Sequence, residues 1–257
     1  FASKTFRETF SRGKDQPAEK KTVLLWPDTF NNHFRPETLR AATEVLNAAG
    51  YRVTLPDVKL CCGRPLYDHG FLEMAKAYLE KILSALQEPI RNETPLVVLE
   101  PSCCSVFRDE MLDLFPKRED AKRLAGLTMT LAEFLQKHAP QFELPKLQRN
   151  ALVQGHCHHK AIMRFKSETA ILERLGARYE VLESGCCGMA GAFGYEEEKY
   201  KVSHACGERV LLPSVRNASA DTLILADGFS CRAQIEQATG RQTLHLAEAI
   251  RLGLKTH

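Results

Sequence analysis

The sequence has no apolar run approaching the roughly 20 residues that span a bilayer, so no membrane-spanning segment is expected. No Gly-x-Gly-x-x-Gly follows a strand-like run and no Walker loop occurs, which argues against nucleotide binding through the usual phosphate cradles. The Gly-x-Ser-x-Gly elbow of serine hydrolases is missing as well. Charge of one sign is scarce: 35 basic against 32 acidic side chains leave +3 over 257 residues, too little for a case for nucleic acid or an anionic surface. With 44% hydrophobic and 26% charged residues, the chain is neither disordered nor a coiled coil. Its length allows one large domain or two of about 100–130 residues.

What is present in an unusual arrangement is cysteine. Nine are too few for a disulfide scaffold, yet six stand in adjacent pairs: Cys61-Cys62, Cys103-Cys104 and Cys186-Cys187. Neighbouring Cα atoms lie about 3.8 Å apart, below the usual disulfide range of about 4.4–6.8 Å, so a bridge within a pair would be strained. An odd total with histidines nearby fits the free thiols of a reducing cytoplasm better than a secreted framework. The composition therefore points to metal or redox chemistry.

The chain opens at Phe1, and residues 1–21 are charged and contain Gly13 and Pro17. They read as a linker from an upstream domain, with a short helix around residues 6–10. Beyond it, one order of elements occurs twice. Residues 22–26 form an apolar strand, 36–49 a helix closing at Gly50, and 51–55 a strand leading to Cys61-Cys62-Gly63. Helix 71–86, strand 96–99, an exit loop holding Pro101-Ser102-Cys103, and helices at 106–115 and 131–137 complete the first half. Strand 151–154 then precedes Gly155-His156-Cys157-His158-His159. Helix 168–175 closes at Gly176, and strand 178–182 leads to Cys186-Cys187-Gly188. Helix 196–211, strand 222–226 and the exit loop Phe229-Ser230-Cys231 follow. The Cys-Cys-Gly pair recurs at an offset of 125, the Ser-Cys pair at 128, and Leu131-Ala132-Glu133 at 115. The expected fold is α/β: two tandem Rossmann-like subdomains with parallel sheets, a pseudo-symmetric repeat over residues 22–139 and 149–257.

Ligands of open α/β sheets bind beyond the carboxyl ends of the strands. Asp28, Cys61, Cys62 and Cys103 fall on that edge in the first half, and Cys157, Cys186, Cys187 and Cys231 in the second. Adjacent cysteines converge only from a turn or a helix start, and Gly63 and Gly188 supply freedom for such a turn. The small-residue run from Gly188 through Gly191 to Gly194 can aim backbone amides at sulfur and favour thiolates. Clustered thiolates suit soft metals and iron–sulfur clusters; four cysteines suit zinc equally well. The histidine run offers imidazole donors, one of the three being expected near the site. His33 is a weaker candidate, and Cys104 and Cys206 read as packing residues.

The motifs resemble a known family. WPDTFNNHF at 26–34, LCCGRPLYDHGF at 60–71, LEPSC at 99–103, GHCHHKA at 155–161, SGCCGMAGAFGY at 184–195, CGERVLLP at 206–213 and ADGFSCRAQIEQ at 226–237 are similar to the cysteine-rich CCG module. That module occurs in heterodisulfide reductase, glycolate oxidase iron–sulfur subunits and lactate-utilisation proteins, and at the C-terminal end of fused FAD-linked oxidases. The resemblance implies a 4Fe-4S type cluster held by Cys157, Cys186, Cys187 and Cys231, with Cys61, Cys62, Cys103, Asp28 and His159 as further metal ligands and Gly188 and Gly191 lining the cofactor. It also implies FAD on a domain outside this chain, an upstream ferredoxin-like domain, and a quinone or carrier as electron acceptor. The substrate is then a 2-hydroxy acid of lactate, glycolate or 2-hydroxyglutarate type. A cytoplasmic location follows, peripheral attachment at the inner membrane face being left open. The sequence departs from the family's pattern of Cys, Cys-Cys-Gly and Cys-x-x-Cys per repeat. Gly228 replaces one cysteine in the second half; in the first, Asp28 or its neighbour replaces the leading cysteine and Glu100 the first of the last pair. A zinc-binding structural module and a thiol–disulfide reductase acting through the paired cysteines stay open beside the electron-transfer reading.

Overall fold

The structure is a computed structural model that describes residues 1–10 and 20–254. Part of the expected linker, residues 11–19, lies outside the described residues; ahead of it, Phe6–Thr9 forms one helical turn closed by a Thr5–Glu8 capping box. The chain divides into two compact units, Phe1–Phe142 and Glu143–His257.

In the first unit, strands β1 (Thr22–Trp26), β2 (Arg52–Thr54), β3 (Leu96–Val98) and β4 (Thr128–Met129) form an all-parallel sheet in the order β2-β1-β3-β4. β1 lies inside the sheet, and its Val23, Leu24, Leu25 and Trp26 are buried, as a strand covered on both faces requires. Parallel neighbours need crossovers, and the Pro36–Ala48 helix supplies the first. Pro36 opens it, Leu39, Ala41, Ala42, Val45 and Leu46 bury its inner face, and Gly50 at φ +92° turns the chain into β2.

The second unit repeats this plan with β5 (Asn150–Gln154), β6 (Arg178–Val181), β7 (Leu223–Ala226) and β8 (Thr243–Leu244), in the order β6-β5-β7-β8 and again all parallel. Trp26 pairs with Val98 at the end of β1 and β3, and Gln154 with Ala226 at the end of β5 and β7. The order reverses direction between those strands, which creates a crevice at their carboxyl ends. The Leu-Ala-Glu echo also has a structural basis. Glu133 and Glu248 each reach back to a backbone amide at the helix start, of Thr130 at 2.9 Å and His245 at 2.8 Å. Each carboxylate also meets an arginine, Arg108 at 2.6 Å and Arg232 at 3.4 Å.

Three local expectations need correction. Residues 101–103 and 229–231 are not exit loops but the first turns of helices, Pro101–Ser105 and Phe229–Thr239. Proline at the first helical position costs no hydrogen bond, and the Glu100 side chain caps Ser102, so the chain enters the helix directly from β3. The helix expected over 196–211 breaks at Val210 into Glu197–Glu208 and Leu211–Asn217.

Candidate metal centre

In the second unit three loops deliver cysteines to one rim. Cys157 follows β5, Cys186-Cys187 follow β6, and Cys231 sits in the first turn of the helix after β7. Their side chains form a chain of contacts: Cys157 hydrogen-bonds Cys186, Cys186 hydrogen-bonds Cys187, and Cys187 hydrogen-bonds Cys231. Cys157 and Cys186 reach the surface, whereas Cys187 and Cys231 are buried with Met189, Leu211, Ile224 and Ile235.

The protons divide unequally along this chain. Cys186 accepts from Cys157 and Cys187 and from the amides of Gly188 and Ala190, which lowers its pKa to about 2. The Gly188 N–H stands 3.3 Å from its sulfur. Cys157 is raised by its bond to Cys186 and by burial, and Cys187 by its bonds to Cys186 and Cys231. The rim is thus built to hold negative sulfur at Cys186 even without a metal.

Backbone constraints hold the Cys-Cys-Gly turn in place. Gly188 has φ +100°, and a Cβ there would lie 2.0 Å from the Ser203 carbonyl oxygen. Gln234, one turn beyond Cys231, donates to the carbonyls of Cys187 and Ser203, both at 3.2 Å, and so ties the turn to the Glu197–Glu208 helix. This clamp was missed from sequence, although a glutamine one turn after a candidate ligand was its available signal. Gly191 is also left-handed, at φ +66°.

The histidine run separates into two groups. Donor atoms of His156, Cys157 and His158 lie within 4.8 Å of one another. The His156 ring fills the space beside Gly228, where a Cβ would come within 2.3 Å of its Cδ2. His159 instead meets Glu168, Nε2 to Oε1 at 2.8 Å, both being buried.

The first unit brings together Cys61, Cys62 and Cys103. Cys61 hydrogen-bonds Cys62, and Cys62 hydrogen-bonds Cys103. The bond from Cys62 lowers Cys103, but burial and the Asp28 and Glu100 carboxylates outweigh it and push the thiol up to about 12. Asp28 is fully buried beside these thiols and caps the Thr29–His33 helix, accepting from the Asn31 amide at 2.9 Å and the Asn31 side chain at 2.8 Å. Glu100 likewise accepts from the Ser102 hydroxyl at 2.7 Å. His33 lies in the last turn of its helix, where its carbonyl accepts from Ala2. Cys104 is fully buried in the Pro101–Ser105 helix, and Cys206 lies on the Glu197–Glu208 helix.

The cysteine-rich domain of the CCG family matches the chain twice, over residues 28–108 and 157–236, the segments that carry these rims. The chain belongs to this cysteine-rich domain family. It is 27% identical over 256 residues to a subunit of the anaerobic glycerol-3-phosphate dehydrogenase of Escherichia coli (strain K12), covering 96% of this chain and 64% of that protein. It is 28% identical over 242 residues to D-2-hydroxyglutarate dehydrogenase of Pseudomonas putida, covering 91% of this chain and 23% of that protein. Lactate utilization protein A of Bacillus subtilis is 27% identical over 242 residues, with 89% and 98% covered. The cysteine-rich chain thus spans somewhat under two thirds of the glycerol-3-phosphate relative and about a quarter of the hydroxyglutarate one. Among the described residues no helix is long and apolar enough to cross a membrane.

Proposed function

We propose that the chain is an iron–sulfur electron-transfer module of an FAD-linked oxidoreductase acting on a 2-hydroxy acid. The observation that carries this reading is the contact chain Cys157–Cys186–Cys187–Cys231, four thiols from three loops at one rim. The donor set fits a cluster: all four are sulfur, and two amides face the sulfur that carries the charge. A bound cluster of 4Fe-4S type supplies one-electron transfer at a potential governed by its charge, burial and hydrogen bonds to sulfur.

The chain's own residues would do three things. Cys157, Cys186, Cys187 and Cys231 hold the cluster. The Gly188 and Ala190 amides stabilise negative sulfur, and the apolar packing around Cys187 and Cys231 keeps water from one side of the site. Cys61, Cys62 and Cys103, with Asp28 beside them, offer a second and poorer place for metal. The relatives carry different substrates in their names while sharing this stretch of sequence, which supports substrate oxidation on a flavin domain outside it. Electrons would arrive through a ferredoxin-like domain and leave to a quinone or carrier, in the cytoplasm or at the inner membrane face. The isolated chain would have no dehydrogenase activity. The nine free thiols fit a reducing compartment.

Anaerobic preparation followed by iron, acid-labile sulfide and zinc analysis tests the reading. The expected result is iron with sulfide and broad visible absorption, lost on Cys186→Ser. A colourless chain holding zinc would support the structural module, and a metal-free chain with dithiol–disulfide turnover would support the reductase; either overturns the proposal.

A further inference from the structure

The second unit contains another set of donor groups that the thiol rim leaves unused. Ligand atoms of His159, Glu168 and Asp227 lie within 4.8 Å of one another. His159 and Glu168 are 1% and 3% exposed, so this is an interior cluster and not a solvated acidic face. Beside it is a cavity of about 10 Å³ lined by Gln154, Phe165, Glu168, Asp227 and Leu246, among others. That is roughly the room one water-sized sphere needs.

Val153 and Leu225 line the cavity, whereas Leu152 and Ile224 pack with Cys187 and Cys231. Alternate residues of a strand point to opposite faces, so the cavity and the thiols draw on opposite faces of β5 and β7 along most of their length and come together at the strand ends, where Ala226 borders both.

Hydrogen bonds fix which atoms face the cluster. His245 Nδ1 accepts from the Ala247 amide at 2.9 Å, which leaves Nε2 to face Asp227 Oδ1 at 3.5 Å. His245 thus orients Asp227 and is not counted among the ligands. Asp227 Oδ1 is further fixed by the Leu246 amide at 2.9 Å. One imidazole and two carboxylates therefore converge beside the cavity, a donor set that suits a divalent cation.

Donors about 2.0–2.1 Å from a tetrahedral ion stand about 3.4 Å apart, so the 2.8 Å contact between His159 and Glu168 need open by only about 0.6 Å. The backbone bearing His159 is also irregular. A π-helical turn over His159–Met163 runs into Arg164 at φ +65° and Phe165 at φ +55°, and the Phe165 ring stands edge-on to His159 at 4.7 Å. Two successive non-glycine residues in the left-handed region are costly, and here they fix the imidazole.

We propose that His159, Glu168 and Asp227 bind one divalent transition-metal ion of the zinc class, with His245 positioning Asp227. One imidazole and two carboxylates suit zinc, manganese or ferrous iron better than a soft thiolate-seeking ion. The first unit has Leu99 where the second has Asp227, and Thr130 where it has His245, so the site belongs to one repeat only.

Cobalt(II) titration of the full chain carrying Cys61→Ser, Cys62→Ser, Cys186→Ser and Cys187→Ser, so that neither thiol rim competes for the ion, tests this. One cobalt per chain is expected, with visible ligand-field absorption and without thiolate-to-cobalt charge transfer. Glu168→Gln and Asp227→Asn, added singly, should each abolish that signal, and His245→Gln should weaken binding about 10–100-fold. Circular dichroism checks that each variant is folded, and the partly open Asp227 provides the milder substitution. No stoichiometric cobalt, a signal dominated by thiolate charge transfer, or a signal unchanged by Glu168→Gln and Asp227→Asn would overturn the proposal. The result is independent of iron and sulfide content, so it fails or stands apart from the electron-transfer reading.

Discussion

A thiol is a strong ligand and nucleophile only as thiolate, so the distribution of protons along the rim has a direct chemical consequence. Cys186 is lowered to about 2 because Cys157, Cys187 and two amides all donate to it. Cys157 and Cys187 are raised because they are the donors. The sign follows: at pH 6 Cys186 is deprotonated while its two neighbours keep their protons. In the metal-free chain, iodoacetamide at pH 6 should therefore label Cys186 first, and its rate should change little between pH 6 and pH 8. Cys61, raised by its bond to Cys62, should lag at both. Peptide mapping of a partially labelled sample reads the order, and earlier labelling of Cys61 or Cys206 would contradict the assignment. Metal bound at the rim should protect Cys186, so the loss of labelling on reconstitution reports occupancy by a route independent of colour.

The cysteines are useful only where turns and helix starts present them together. Gly188 lies against the Ser203 carbonyl, and its φ of +100° excludes a side chain without strain. Gly188→Ala should cost about 1–3 kcal/mol from the backbone conformation, before the clash with Ser203 is counted. The expected readouts are a lower melting temperature and loss of bound iron. Gln234→Leu should act more gently. It leaves the Cys187 and Ser203 carbonyls without their donor, a cost of about 1–3 kcal/mol, and should lower the melting temperature by several degrees. The Cys-Cys-Gly turns were legible in the sequence because a glycine after two cysteines has few other reasons to be there. The helix starts were not. Pro101 reads as a loop residue until Glu100 is placed as its cap, and Gly228 reads as a breaker until it is placed as the residue before a helix. β4 and β8, two residues each, are too short to leave a periodic signal.

The same winding occurs twice, and the duplication was readable because the cysteine pairs kept their spacing. What each copy retains was less readable, since it depends on side-chain contacts. Asp28 stands among the first unit's thiols as the second unit's leading cysteine does among its own, yet it is engaged by Asn31 as a helix cap. Glu100 is engaged by Ser102 in the same way. The first unit therefore offers three thiols, two of them buried, beside carboxylates already in use. The second offers four thiols with amides facing the charged one. If cluster binding follows the thiolate count, the two rims should respond differently to removal of their cysteine pairs. Cys61→Ser with Cys62→Ser should leave most of the iron, sulfide and visible absorption. Cys186→Ser with Cys187→Ser should remove them, although both pairs occupy equivalent places in the repeat. Iron and sulfide analysis of the two variants, each checked for folding by circular dichroism, decides the matter. Equal losses would mean that the first unit's three thiols hold metal as well as the second unit's four, and that the engaged carboxylates of Asp28 and Glu100 beside them have not weakened the site.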